Sequence, residues 1–192
     1  MSAPELWRIE PPLVDRREIL RYAGVRGDAP EISARLEECL SAMWQGLTYS
    51  VVFCELPVSE LPLGESKSLS DRLAGCERAV IFAATVGLEP DRRILRYGSR
   101  EPSLALLCQA IGTERVEALC DAFCDSLAEK YGKERCVPRP RFSPGYGDCP
   151  LSLQRELLLR LDASRRIGVT LNESLLMTPT KSVTAIVGIG KV

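Results

Sequence analysis

Arg139-Pro140-Arg141-Phe142-Ser143-Pro144-Gly145-Tyr146-Gly147-Asp148-Cys149-Pro150 is the stretch on which the reading of this chain turns. Its prolines and glycines forbid a regular helix. Proline stiffening lowers the entropy lost when a loop is ordered around a ligand. Gly145 and Gly147 let the backbone approach a ligand closely or take a positive φ. Arg141 can clamp a carboxylate with two parallel hydrogen bonds. Tyr146 offers a flat face to an aromatic ring or a cation. Together these properties suit a small molecule with a carboxylate, a heteroaromatic ring and a positive centre. The residue types alone leave many such ligands open, and an ordinary structural loop as well.

Outward from this loop the chain is regular. On its N-terminal side, Ser103 to Tyr131 predicts one long helix, with a bend expected at Gly112 and a stripe of Leu104, Leu107, Cys108, Ile111, Val116, Leu119, Cys120, Phe123 and Leu127. Such a stripe packs into a core. Farther back, Arg78 to Val86 predicts a buried strand, because Ala79-Val80-Ile81-Phe82-Ala83-Ala84 is apolar throughout. Thr48 to Leu56 predicts another strand. Shorter helices are expected over Asp15 to Tyr22, Glu31 to Gln45 and Pro90 to Tyr97, the last closed by Gly98. A turn is expected at Asp28-Ala29-Pro30. Pro57 to Ser70, with Pro62 and Gly64, reads as connecting segment, followed by a short helix capped by Ser70 or Asp71. On the C-terminal side, Leu151 to Ala163 predicts a helix with Ser152 as its cap. Ile167 to Leu171 reads as a short extended piece, and Val183 to Ile189 as a second apolar strand. The pattern is α+β, with a few strands around one dominant helix. The length favours one domain over residues 1–192, with 1–30 as an N-terminal extension.

Composition narrows the function classes. Apolar residues make up 45% of the chain, enough for a core. The net charge of −1, from 25 basic and 26 acidic residues, argues against a dedicated nucleic-acid binder. No apolar signal core follows Glu5, Arg8 and Glu10, and no apolar run is long enough for a bilayer, so a cytoplasmic protein without membrane contact is expected. Histidine is absent, which removes Ser-His-Asp and Cys-His catalysis. The eight cysteines have irregular spacings without C-x-x-C and lie mostly among apolar residues, as reduced core cysteines do. Cys120 and Cys124, at i, i+4, are spaced to share a metal, but no metal site is expected.

The run Arg141 to Pro150 resembles the R-x-x-P-G-Y-x-x-C-P signature of the activation domain of cobalamin-dependent methionine synthase. The resemblance continues in order through Ile167-Gly168-Val169-Thr170-Leu171-Asn172-Glu173-Ser174, the Met-x-Pro step Met177-Thr178-Pro179 and the small-residue strand Ser182-Val183-Thr184-Ala185. It covers about residues 139–186, with a looser match at Ala83-Ala84-Thr85-Val86-Gly87. It implies a small mixed or antiparallel twisted sheet with one long helix and several shorter ones. It also implies binding of S-adenosylmethionine, which carries a carboxylate, an adenine and a sulfonium. Arg141 would take the methionine carboxylate, Ser143 and Gly145 would supply backbone contacts, and Tyr146 would flank the ligand.

The implied role is reactivation of cob(II)alamin. A methyl group comes from S-adenosylmethionine and an electron from a flavodoxin-like reductant, with the cobalamin carried by a separate methionine synthase or related corrinoid protein. No catalytic residue is then needed, since the cofactors carry the bond chemistry. Two departures stand out. The family domain continues beyond the strand at which this sequence reaches Val192, and a ligand-flanking tyrosine and an N-terminal acidic contact of the family have no identified counterpart. An alternative is therefore a module that docks a corrinoid protein without using S-adenosylmethionine. A third reading, a cysteine-based metal or redox protein, rests on the cysteine count alone. Glu173, a carboxylate near the proposed site, is expected to be a solvated surface residue.

Overall fold

The computed structural model describes residues 2–26, 30–61 and 66–191. Its strands are Glu5–Arg8 (β1), Ser50–Pro57 (β2), Cys76–Thr85 (β3), Cys136–Pro138 (β4), Thr170–Leu171 (β5), Met177–Thr178 (β6) and Ser182–Lys191 (β7). Its helices are Arg16–Tyr22 (α1), Pro30–Trp44 (α2), Lys67–Arg72 (α3), Glu89–Tyr97 (α4), Pro102–Gly132 (α5), Leu153–Arg160 (α6) and Ala163–Ile167 (α7). The architecture is α+β, as expected.

The apolar run at 79–84 lies at the centre of a five-stranded sheet of order β1-β2-β3-β7-β4. Every neighbouring pair in it is antiparallel. An antiparallel strand usually alternates apolar and polar residues; β3 does not because both faces of the sheet are covered. On one face Val52, Cys54, Ala79, Ile81, Ala83 and Ile186 pack on Leu69 and on Leu153, Leu157 and Leu158 of α6. On the other, Val51, Val80, Phe82, Ala84 and Val187 pack on Val116, Leu119, Phe123 and Leu127 of α5. Phe123 anchors this contact, with its ring 5.2 Å from those of Trp7 and Phe53 and 4.9 Å from that of Phe82.

The first half of α5 serves a different core. Leu104, Leu107, Cys108 and Ile111 pack with Ile19 of α1 and Leu36, Leu40 and Met43 of α2. The helix runs without interruption through Gly112, where a bend was expected. Gly112 instead permits close approach: a Cβ there would stand 2.8 Å from the Lys181 side chain and 2.9 Å from that of Pro90.

Several local expectations shift. The segment read as an N-terminal extension contributes β1 to the sheet edge and α1 to the helical core. It is tied to α5 by the buried Arg115, which donates to the carbonyls of Pro12 (2.6 Å) and Leu13 (2.7 Å) and pairs with Glu114. The cap of α3 is Ser66, whose hydroxyl accepts from Leu69 N, rather than Ser70 or Asp71. Ser152 makes no capping hydrogen bond. The helix expected to reach Ala163 ends at Arg160, and Asp162, at φ 50°, turns the chain into α7. Ile167 belongs to α7, so the extended piece is only Thr170–Leu171. Asp28, Ala29, Pro62 and Gly64, read as turn and loop positions, lie outside the described residues.

Candidate functional site

The signature loop is laid along the outer edge of β7. After β4, Arg139 N donates to Gly188 O (2.7 Å), and Phe142 and Ile186 exchange backbone hydrogen bonds of 2.9 and 2.8 Å. Pro144 is buried and the chain then turns back on itself: Gly145 N donates to Cys149 O and Cys149 N to Tyr146 O, each at 3.0 Å. The turn needs its glycines, since Gly145 has φ +92° and Gly147 φ +58°.

Asp148 fixes the loop to the rest of the molecule. Its carboxylate accepts from Ser66 Oγ (2.8 Å), Lys67 N (2.8 Å) and Ser68 N (3.0 Å) at the start of α3. The Ser66 hydroxyl, followed by Ser68, holds this carboxyl well below the usual carboxylate range. Gly147 passes so near that a Cβ on it would meet Ser68 Oγ at 2.6 Å. Cys149 is buried in the core below the sheet, and burial pushes its thiol up, away from the ionised form a redox role requires.

Between the loop, α6, β6 and the start of β7 lies a groove of about 480 Å³. Arg141, Ser143 and Tyr146 line it; Gly145 does not, and shapes the turn behind it. Tyr146 is 69% exposed, with Leu151 beside it on the rim. Met177 and Thr184, from segments that follow the loop in sequence, line the groove as well. Glu173 is exposed and outside the groove lining.

Arg141 meets two carboxylates of α5. Nη2 donates to Glu117 Oε2 at 2.6 Å, and Nη1 donates to Asp121 Oδ1. Glu117 and Asp121 are four residues apart and so share one face of the helix. Glu117 lines the same groove as Arg141 and also, with Asp121, a second depression formed with Pro12, Leu13 and Asp15. Neither acidic residue was singled out from the sequence. Their i, i+4 spacing was visible there, but nothing in it identifies the arginine they face.

The cysteines sit mostly in the cores. Cys120 is fully buried and burial raises its thiol pKa; burial also raises that of Cys124, one turn on. Among the described residues no three His, Cys, Asp or Glu side chains converge as metal ligands, and no helix is long and apolar enough to cross a membrane.

Comparison with curated proteins finds no match. Among solved structures, the chain is similar to the crystal structure of the MetH reactivation domain bound to AdoHcy, with a TM-score of 0.63 over 97% of this chain and 78% of that one. At 16% identity this likeness concerns the fold. A family model described as "Vitamin B12 dependent methionine synthase, activation domain" matches residues 67–191, which include β3, α5, the signature loop, the groove and β7. This chain belongs to the activation-domain family of vitamin B12-dependent methionine synthases.

Proposed function

We propose that this protein binds S-adenosylmethionine in the groove under the signature loop and serves as the reactivation partner of a separate cobalamin-dependent methionine synthase in the cytoplasm. The observation that carries the reading is the convergence of Arg141, Ser143 and Tyr146 on one groove of about 480 Å³. That volume lies within the range of roughly 300–1,000 Å³ typical of small-ligand sites. The donor set fits the ligand: a guanidinium for the carboxylate, an exposed phenol ring for the adenine or sulfonium, and backbone in a fixed turn.

When bound, S-adenosylmethionine supplies the methyl group, while the cobalamin belongs to the partner and the electron to a flavodoxin-like reductant. The chain's own residues bind and orient. Arg141 holds the amino-acid end, and the turn fixed by Gly145 and Asp148 presents Ser143 and Tyr146 at the mouth of the groove. Positioning of this kind raises the effective concentration of the reacting groups and needs no general acid or base.

Titration calorimetry with S-adenosylmethionine, on the unaltered protein and on Arg141→Ala, tests the reading. Binding weakened by the substitution at least tenfold, about 1.4 kcal/mol, is expected. A second reading, a docking module that does not use S-adenosylmethionine, draws on the pairing of Arg141 with Glu117 and Asp121. It requires a complex with the corrinoid protein whose affinity S-adenosylmethionine leaves unchanged. Absence of S-adenosylmethionine binding both alone and with that protein present would overturn the first reading in favour of the second.

A further inference from the structure

A further depression of about 470 Å³ lies beside the end of α3, lined by Ser68, Asp71, Arg72, Ala74, Arg139 and Pro140. Arg72 also lines the groove, so it forms part of the wall between the two cavities. The lining holds two guanidinium groups and one carboxylate, that of Asp71. Neither guanidinium has a hydrogen-bond or ion-pair partner among the described residues. The neighbouring Asp148 carboxylate is already met by Ser66 Oγ, Lys67 N and Ser68 N. Arg139 is held in place without a partner for its charge. Its backbone N–H donates to Gly188 O (2.7 Å), and its side chain lies along β7 over two residues that have none. A Cβ on Gly188 would stand 3.5 Å from Arg139 Cγ, and one on Gly190 3.4 Å from both Nε and Nη2. A guanidinium seated in this way loses less freedom when an anion arrives. No aromatic ring lines the depression, so its walls read charge rather than an organic framework.

We propose that this depression is a site for a small oxyanion, inorganic phosphate, held between Arg72 and Arg139, and that its occupancy favours S-adenosylmethionine in the adjoining groove. The second part rests on the S-adenosylmethionine reading; the first does not. Guanidinium groups suit the oxygens of phosphate, to which they donate charge-assisted hydrogen bonds. S-adenosylmethionine carries a sulfonium, an ammonium and a carboxylate, and so has a net positive charge. Arg72, unpaired on the groove wall, repels it. A phosphate shared by Arg72 and Arg139 offsets that charge without entering the groove. S-adenosylhomocysteine lacks the sulfonium and has no net charge, so the same phosphate leaves its affinity nearly unmoved. The coupling is reciprocal, and S-adenosylmethionine should tighten phosphate binding by the same factor.

Phosphorus NMR of inorganic phosphate, with the unaltered protein and with Arg139→Gln, tests the site. Line broadening that saturates with phosphate and is lost in the variant is expected. Calorimetry with S-adenosylmethionine, in phosphate and in chloride at equal ionic strength, tests the coupling. Affinity about threefold higher in phosphate is expected, the scale of an interaction between exposed charges, with no such gain for S-adenosylhomocysteine. Arg139→Gln should bind S-adenosylmethionine in chloride as the unaltered protein does and lose the gain in phosphate. Arg72→Gln should bind it more tightly already in chloride and gain nothing from phosphate. Near-ultraviolet circular dichroism checks that each variant is folded. Broadening that is absent, or that persists in Arg139→Gln, overturns the site. Phosphate binding with an equal gain for both ligands, or with none, marks an adventitious ion only and overturns the coupling. If S-adenosylmethionine binds in neither buffer, the S-adenosylmethionine reading falls and the coupling with it, while the NMR result decides the phosphate site by itself.

Discussion

Arg115 offers the sharpest test of how the N-terminal segment is held. Its side chain has no exposure, and that of its partner Glu114 is 5% exposed. Arg115 donates to the carbonyls of Pro12 and Leu13, and Asp15 N donates to Glu114 Oε1 at 3.0 Å. Replacing Arg115 with Met keeps much of the volume but strands the Glu114 carboxylate and leaves two carbonyls without a donor. Breaking one side of a buried pair costs about 3–5 kcal/mol, a large part of the roughly 5–15 kcal/mol that holds a domain folded. Adding Glu114→Gln removes the stranded charge and retains an acceptor for Asp15 N. The double variant then lacks only the bonds to Pro12 and Leu13, at about 0.5–1.5 kcal/mol each. It should therefore be more stable than Arg115→Met alone, an inversion that additive losses cannot produce. Urea unfolding at neutral pH, followed by circular dichroism, reads both values. A single variant within about 1 kcal/mol of the unaltered protein, or a double variant weaker than the single, would refute the reasoning and assign the attachment of the N-terminal segment to apolar contacts.

Three further outcomes follow from the packing. Phe123→Ala removes the ring on which Trp7, Phe53 and Phe82 converge and should cost about 3–5 kcal/mol in urea unfolding; a loss below about 2 kcal/mol would show that the three rings close the gap. Gly147→Ala should destabilise by about 1–2 kcal/mol for a side chain in the left-handed region. Its contact with Ser68 Oγ adds little because a hydroxyl can rotate, so adding Ser68→Ala should recover only a small part in thermal melting. Asp148 has its pKa lowered in the folded state by Ser66 and then Ser68. Its contribution is fully present above the ordinary carboxylate value of about 4 and is lost as pH falls below it toward the depressed folded value. Asp148→Asn should therefore be less stable than the unaltered protein at pH 7, with the difference shrinking on acidification; melting temperatures that run parallel from pH 7 to pH 3 would contradict the cap.

Much of this fold is legible in the sequence because its signals are long. The β3 run is apolar through consecutive residues, and only a strand covered on both faces tolerates that. The α5 stripe persists for several turns, so its type and extent follow from periodicity. The missed elements are short or depend on distant partners. β1 and β4 have four and three residues, too few for an alternation to register. Ser66 does not read as a cap in the sequence because the segment before it reads as loop and because Asp148, which accepts its hydroxyl hydrogen bond, is 82 positions away. The acidic partners of Arg141 lie 24 and 20 residues before it, on a helix whose sequence reports its apolar stripe clearly and says little about its polar flank.

The signature loop was legible for a different reason, which the structure makes plain. Its residues divide between two tasks. Arg141, Ser143 and Tyr146 face the groove, whereas Gly145, Gly147, Asp148 and Cys149 form the turn, fasten it to α3 and fill the core beneath it. Each task alone would constrain a few scattered positions. Interleaved within ten residues, the two tasks share the segment, but the signature leaves Ser143, Gly147 and Asp148 open, and it is the family resemblance rather than the residue types alone that separates this segment from an ordinary loop. The division carries a consequence for substitutions. Under the proposed function, changes at Arg141 or Tyr146, both on the groove wall, should weaken ligand binding with little effect on stability. Changes at Gly147 or Asp148 should lower stability and weaken binding together, because the turn that presents Ser143 and Tyr146 is held from behind.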